Sequence, residues 1–185
     1  MRNDLFGKDP RLLEMVDRLS TNHTFFFRES DHLDFLTQIA LPDLWGPDEE
    51  SGLRDARIWC AGCATGEEPY SILIALADRY GIGSLPGHSV ILASDISTSA
   101  LATAQRGVYP WARVREAGDI VKRGYAERED DEHIRMKETI RRRVLFKRIN
   151  LMRHDFPFRN RFDVIFCRNV MIYFDQETRR ALVEA

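Results

Sequence analysis

Two glycines and a pair of carboxylates follow a short apolar stretch in Ile58-Trp59-Cys60-Ala61-Gly62-Cys63-Ala64-Thr65-Gly66-Glu67-Glu68-Pro69-Tyr70-Ser71. The pattern predicts a strand, a small-residue turn and the start of a helix, which is the outline of a nucleotide-cradling loop. Such loops hold phosphates on bare backbone N–H groups at a helix N-terminus. Here Glu67 and Glu68 stand at those positions, and two carboxylates repel a pyrophosphate. A cationic nucleoside suits them better. S-adenosylmethionine (SAM) carries a sulfonium, an amino group and no phosphate, so the loop points to methyl transfer.

Further polar residues fall at the ends of other predicted strands. A strand at about residues 56–60 leads into the loop, and a helix follows at about 69–80. A second strand at 89–94 ends at Asp95 and precedes a helix at about 97–106. A third, at 143–149, leads into Asn150-Leu151. A fourth, at 162–166, leads into Cys167-Arg168-Asn169, and a last helix starts near Asp175. Strands alternating with helices predict an α/β fold with a mainly parallel sheet. In such sheets ligands sit beyond the carboxyl ends of the strands. Asp95 is placed to accept ribose hydroxyls. Each residue also has a plainer reading. Asp95 could cap a helix, Asn150 could close a turn, and Glu67 and Glu68 could complement the helix dipole. A nicotinamide site is disfavoured. The glycines read Gly62-x-x-x-Gly66, and Asp95 lies further on than the roughly 20 residues usual for a dinucleotide site.

The positioning elements extend towards the N-terminus. Residues 1–20 read as a helix with an apolar face of Leu12, Leu13, Met15, Val16 and Leu19. Asn22 and Thr24 suit a turn or a helix cap, and Phe25, Phe26 and Phe27 are expected to be mostly buried. Ser30 or Asp31 could start a helix through Ile39, with residues 41–54 a loop. Residues 107–143 are the least legible. They read as a solvated helix or hairpin, or as a small accessory element that touches a substrate protein.

The 185 residues fit one domain, or one with a small appendage, and a 44% hydrophobic share can supply a core. A net charge of −2 gives no pointer to nucleic acid or a membrane surface. No apolar run approaches the roughly 20 residues of a membrane span, and the N-terminus has no signal-peptide core. A cytoplasmic protein is expected. Cys60, Cys63 and Cys167 do not suggest a disulfide framework. Cys60-x-x-Cys63 admits a metal or redox role. However, a structural zinc needs about four ligands, and the histidines have no paired spacing. No metal is expected.

Four segments resemble the CheR-type chemotaxis-receptor methyltransferases: residues 21–29 (TNHTFFFRE), 63–71 (CATGEEPYS), 93–96 (ASDI) and 166–174 (FCRNVMIYF). They run in the family's order from Thr21 to the end of the chain. The resemblance implies a Rossmann-like class I SAM-dependent methyltransferase domain over residues 21–185. Residues 1–20 would then be the remnant of an N-terminal helical region, and residues 107–143 a possible accessory element. It further implies SAM as cofactor, S-adenosylhomocysteine (SAH) as product, and chemoreceptor cytoplasmic domains as the protein substrate. Asn22, Thr24, Arg28, Glu68, Asp95, Asn150, Leu151, Cys167 and Arg168 match cofactor-site positions, and Arg28 and Tyr173 match the transfer site. The family begins with a longer helical domain and continues into further strands, so a chain shortened at both ends is expected.

The implied acceptor, a glutamate of ordinary pKa about 4.3, is already ionised at neutral pH and needs no general base. Rate would come from alignment and desolvation in an in-line displacement. Arg28 would orient the acceptor carboxylate, and Tyr173 would position it or shield the sulfonium. Core packing is the plainer reading of Tyr173. A different methyl acceptor, or a domain that binds SAM or SAH without transfer, is the alternative.

Overall fold

A computed structural model describes residues 10–20, 22–46, 53, 56–114, 119–153 and 156–184. Its central sheet has four parallel strands, β1 (Ile58–Ala61), β2 (Ile91–Asp95), β6 (Val144–Arg148) and β7 (Val164–Phe166), in the order β6-β2-β1-β7. The chain builds outward from β1 through β2 to β6, then returns to add β7 on the other side of β1. The order therefore reverses at β1, which opens a crevice at the carboxyl ends of β1 and β7.

Every residue of β1 is buried, as expected for a strand covered on both faces. Ile58 and Cys60 enter the larger core with helix α4 (Glu67–Tyr80). Trp59 and Ala61 enter a smaller core on the opposite face. There Trp59 meets Phe156, Phe158 and Phe162 at centroid distances of 5.3, 4.9 and 5.6 Å, and its indole N–H donates to Ser94 Oγ at 2.9 Å. Helix α5 (Thr98–Arg106) follows β2. Ser97 caps it by accepting from the Ala100 N–H at 3.1 Å.

Helix α1 (Pro10–Leu19) lies in the predicted N-terminal helical region, whose residues 1–9 lie outside the described residues. Helix α2 (Asp31–Phe35) also lies where expected, but it does not stop at Ile39. It runs through a π-helical turn (Leu36–Ala40) into α3 (Leu41–Trp45) and ends at Gly46, where φ is 59°. The expected loop is thus helical over its first turn. Burial of Leu41 favours continuing the helix, and the π turn widens it just before Pro42, which lacks an N–H for the ladder. Residues 47–52 and 54 of that loop lie outside the described residues.

Residues 107–143 hold a second sheet of three antiparallel strands, β3 (Val108–Pro110), β4 (Ala126–Arg128) and β5 (His133–Met136), in the order β3-β5-β4. Two short helices, α6 (Trp111–Val114) and α7 (Glu138–Arg141), flank it. Tyr109, Ile120, Ile134, Met136 and Ile140 tie this layer into the main core. The last helix is α8 (Gln176–Glu184). Among the described residues no helix is long and apolar enough to cross a membrane.

The aromatic contacts of Trp59 carry the smaller core. Trp59→Ala is expected to cost about 3–5 kcal/mol, seen as a lowered urea midpoint.

Candidate active site

Asp95 and the main chain of β2 shape the first loop. Gly62 and Cys63 donate their N–H groups to the Ser94 carbonyl at 2.7 and 2.9 Å. Ala64 N–H donates to Asp95 Oδ2 at 2.8 Å, and Ser97 N–H donates to Oδ1 at 2.9 Å. Asp95 therefore clamps the loop to the start of α5, while Ser97 is the side chain that caps the helix. Each Asp95 oxygen keeps a second lone pair for a ligand hydroxyl. Both loop glycines have positive φ, 81° and 96°. A Cβ on Gly62 would lie 2.2 Å from Val170 Cγ2, and one on Gly66 would lie 2.7 Å from Ala104 Cβ and 2.9 Å from Tyr109 Oη.

The two loop carboxylates diverge. Glu67 is fully buried and points towards the second sheet. Its oxygens take Thr65 Oγ1 at 2.6 Å and Arg113 Nη1 at 3.2 Å. Tyr109 Oη supports the same side of the loop by donating to the Thr65 carbonyl at 2.7 Å. Only Glu68 faces the crevice. Consecutive residues in the first turn of α4 project in different directions, so one faces the site and its neighbour faces the core.

Burial holds both carboxyls above the usual carboxylate range. For Glu68 this is opposed by the Cys60 thiol, which donates at 3.1 Å, and by Arg168, whose Nη1 is 3.0 Å from Oε1. Burial pushes the Cys60 and Cys63 thiols well up, which keeps them protonated.

The crevice is a cavity of about 710 Å³. The site residues matched through the resemblance all line it except Cys167. Asn22, Thr24 and Arg28 come from the segment before α2, and Asn150 and Leu151 follow β6. Asn150 also closes a turn, its Oδ1 accepting from Met152 N–H at 3.0 Å. Cys167 packs with the smaller core, because alternation along β7 turns it away from the side that carries Phe166. Tyr173 sits on a 3₁₀ turn (Met171–Tyr173) and is 61% exposed at the mouth, so core packing does not describe it. Of the three phenylalanines only Phe26 is buried. Phe25 is exposed at the rim, and Phe27 is half-buried.

Sequence reasoning missed Glu29 as a member of the site. Its Oε2 lies 3.0 Å from Arg168 Nη2, and Arg168 Nη2 also donates to the Arg28 carbonyl at 2.6 Å. The signal was only its place beside Arg28. Cys60 and Cys63 are both buried, and no group of three or more metal-ligating side chains is found among the described residues.

The fold and site define an α/β domain whose strand-end cavity is lined by Glu68 and Asp95 and by Arg28 and Arg168. Residues 22–185 match the family described as CheR methyltransferase, SAM binding domain. A chemotaxis protein methyltransferase of Borreliella burgdorferi is 45% identical over 172 residues, which are 93% of this chain and 61% of that protein. Chemotaxis protein methyltransferase 2 of Pseudomonas aeruginosa is 40% identical, covering 91% of this chain and 59% of that protein. The corresponding values for the Escherichia coli chemotaxis protein methyltransferase are 36%, 91% and 56%. The chain belongs to the CheR family through its SAM-binding domain, and it spans about three fifths of the length of these relatives.

The close approach of the loop to Val170 gives a direct check. Gly62→Ala combines a clash with a left-handed backbone, which alone costs about 1–3 kcal/mol. Calorimetry is expected to show SAH affinity lowered roughly tenfold or more.

Proposed function

We propose that this chain forms the catalytic core of an enzyme that methylates glutamate side chains of chemoreceptor cytoplasmic domains, yielding methyl esters. The observation that supports this most is the division of charge in one cavity. Glu68, paired with Arg168, and Asp95 line it together with Arg28 and Tyr173, and Arg28 is the more exposed of the two guanidiniums. SAM supplies, when bound, a methyl carbon on a sulfonium that departs as a neutral thioether.

The residues present fit that cofactor. The cavity lies within the roughly 300–1,000 Å³ range of small-molecule sites. Asp95 has acceptor capacity for the ribose, and Asn150 and Leu151 border the adenine side. Glu68 balances the cationic methionine portion, and Asn22 and Thr24 close the pocket from above α2. Arg28 would orient the acceptor carboxylate, because a guanidinium can fix both oxygens. Tyr173, exposed at the mouth, would position the acceptor by its hydroxyl. Residues 107–143 offer a surface for the protein acceptor.

The deciding experiment is calorimetric titration of the chain with SAH and, separately, with NAD, followed by methylation of a chemoreceptor cytoplasmic fragment. Binding of SAH alone, with methyl ester formed, supports the proposal. A folded chain that binds neither refutes it.

Two substitutions separate the roles. Arg28→Ala is expected to abolish transfer while weakening SAH binding at most by a few fold. Asp95→Ala is expected to weaken SAH binding by more than about tenfold, since it removes both the ribose acceptor and the loop clamp. Unchanged affinity would refute the ribose assignment.

The pH dependence follows from Glu68. Its folded pKa is raised, chiefly by burial. The unliganded folded state therefore holds this proton more tightly than the unfolded chain. The stability Glu68 contributes is lost as pH rises from about 4.3 through the folded value. A bound sulfonium favours the ionised carboxylate, so affinity for SAM relative to SAH rises with pH over the same window. Calorimetry with both ligands over a pH series starting near about 4.3 is expected to show that rise, and Glu68→Gln is expected to flatten it.

A further inference from the structure

Two guanidiniums line the cavity, but their surroundings differ. Arg168 is nearly buried, its side chain 12% exposed. Its Nη1 meets Glu68 and its Nη2 meets Glu29, each at 3.0 Å, and Nη2 also donates to the Arg28 carbonyl. Both terminal nitrogens are committed. Arg28 is more open and has fewer obligations. Its Nη1 donates to the His23 carbonyl at 3.1 Å, and the closest carboxylate oxygen among the described residues, from Glu29, is 3.7 Å from Nε.

Glu29 is what makes that difference, and its own state is unusual. It adopts φ 52° and Phe27 adopts φ 56°, so two non-glycine residues of one turn hold left-handed backbones. Such conformations each cost about 1–3 kcal/mol and persist where neighbours enforce them. Here Ser71 Oγ accepts the Phe27 N–H at 2.9 Å. The contacts of Glu29, to Arg168, to Arg28 Nε at 3.7 Å and to His32 Nδ1 at 3.3 Å, involve a side chain 43% exposed and offer little stability in return. A turn that adopts a costly backbone for weak pairs is better explained by what the pairs direct.

We propose that Glu29 is a positioning residue that keeps Arg168 occupied and so reserves Arg28 for the acceptor carboxylate. The inference rests on the methyl-transfer reading above. With the Glu29 charge removed, Arg168 keeps only Glu68 as counter-ion and becomes a second anion site, deeper than Arg28. A carboxylate seated there is held away from the mouth and from Tyr173. Anion binding then strengthens while productive alignment weakens.

The test is Glu29→Gln, which keeps the length and a hydrogen-bond acceptor but loses the charge. SAH affinity is measured first, by calorimetry. Methylation of a chemoreceptor cytoplasmic fragment is then followed with glutarate as a competing carboxylate. The SAH Kd is expected to stay within about threefold, the glutarate inhibition constant to fall about tenfold, and kcat to fall more than the fragment KM changes. Glu29→Asp keeps the charge on a shorter arm and should fall between wild type and Glu29→Gln. Unchanged glutarate inhibition in a variant that binds SAH overturns the proposal. So does loss of SAH binding in Glu29→Gln, which would make Glu29 a structural support of the cofactor pocket. If the wild-type chain binds no SAH, the methyltransferase reading fails first and takes this inference with it.

Discussion

The ion pairs of Arg168 draw three separate pieces of chain to one point. The guanidinium follows β7, Glu68 lies in the first turn of α4, and Glu29 belongs to the turn before α2. A carboxylate as buried as Glu68 is costly to ionise unless a cation sits against it. Arg168 supplies that cation, and the Cys60 thiol adds a hydrogen bond from beneath. Removing one member of a nearly buried pair leaves the other uncompensated, so Glu68 and Arg168 constrain each other. Arg28 inherits its place from the same contact, because its carbonyl is held by the Arg168 side chain.

Around this point the sheet supplies the geometry. Parallel pairing sets Ala61 beside Ser94, which brings the first loop to the end of β2. The Ser94 carbonyl and Asp95 carboxylate then take three successive loop N–H groups. The second sheet braces the loop from the far side through Tyr109, and through Arg113 on buried Glu67. A charge as buried as Glu67 needs such a partner. The cofactor loop is thus held between two layers, and Tyr109, Arg113 and Glu67, which brace it from the far side, do not line the cavity.

Much of this was legible in the sequence because it depends on local pattern. The four parallel strands, α4, α5 and the residues at the strand ends follow from apolar runs ended by glycine or polar residues. Tyr173 and the Arg28 segment were reached through the resemblance rather than through periodicity. What stayed hidden depends on direction and on distant contact. The opposite paths of Glu67 and Glu68 are set by helix geometry and by Arg113, 46 residues away along the chain. Leu41 looked like part of a loop because Pro42, Gly46 and acidic residues follow it, yet its burial and a π turn carry the helix through. The strands of the second sheet are three or four residues long, too short to register a two-residue alternation among so many charges. Glu29 stood in the segment that carries the resemblance, but its role is visible only once β7 places Arg168 opposite.

The charges that line or touch the cavity also fit the chemistry proposed for it. Glu29, Glu68 and Asp95 stand against Arg28 and Arg168, leaving one excess negative charge among them. SAM, with a sulfonium, an ammonium and a carboxylate, has one excess positive charge, whereas SAH has none. The pocket therefore complements the reactant better than the product, and the difference is enlarged where Glu68 is screened from water. An acceptor carboxylate meets a repulsive pocket when the cofactor is absent and a nearly neutral one when it is present. Arg28 at the mouth offsets the remaining cost locally, while the paired state of Arg168 keeps the deeper part of the pocket from attracting the same anion.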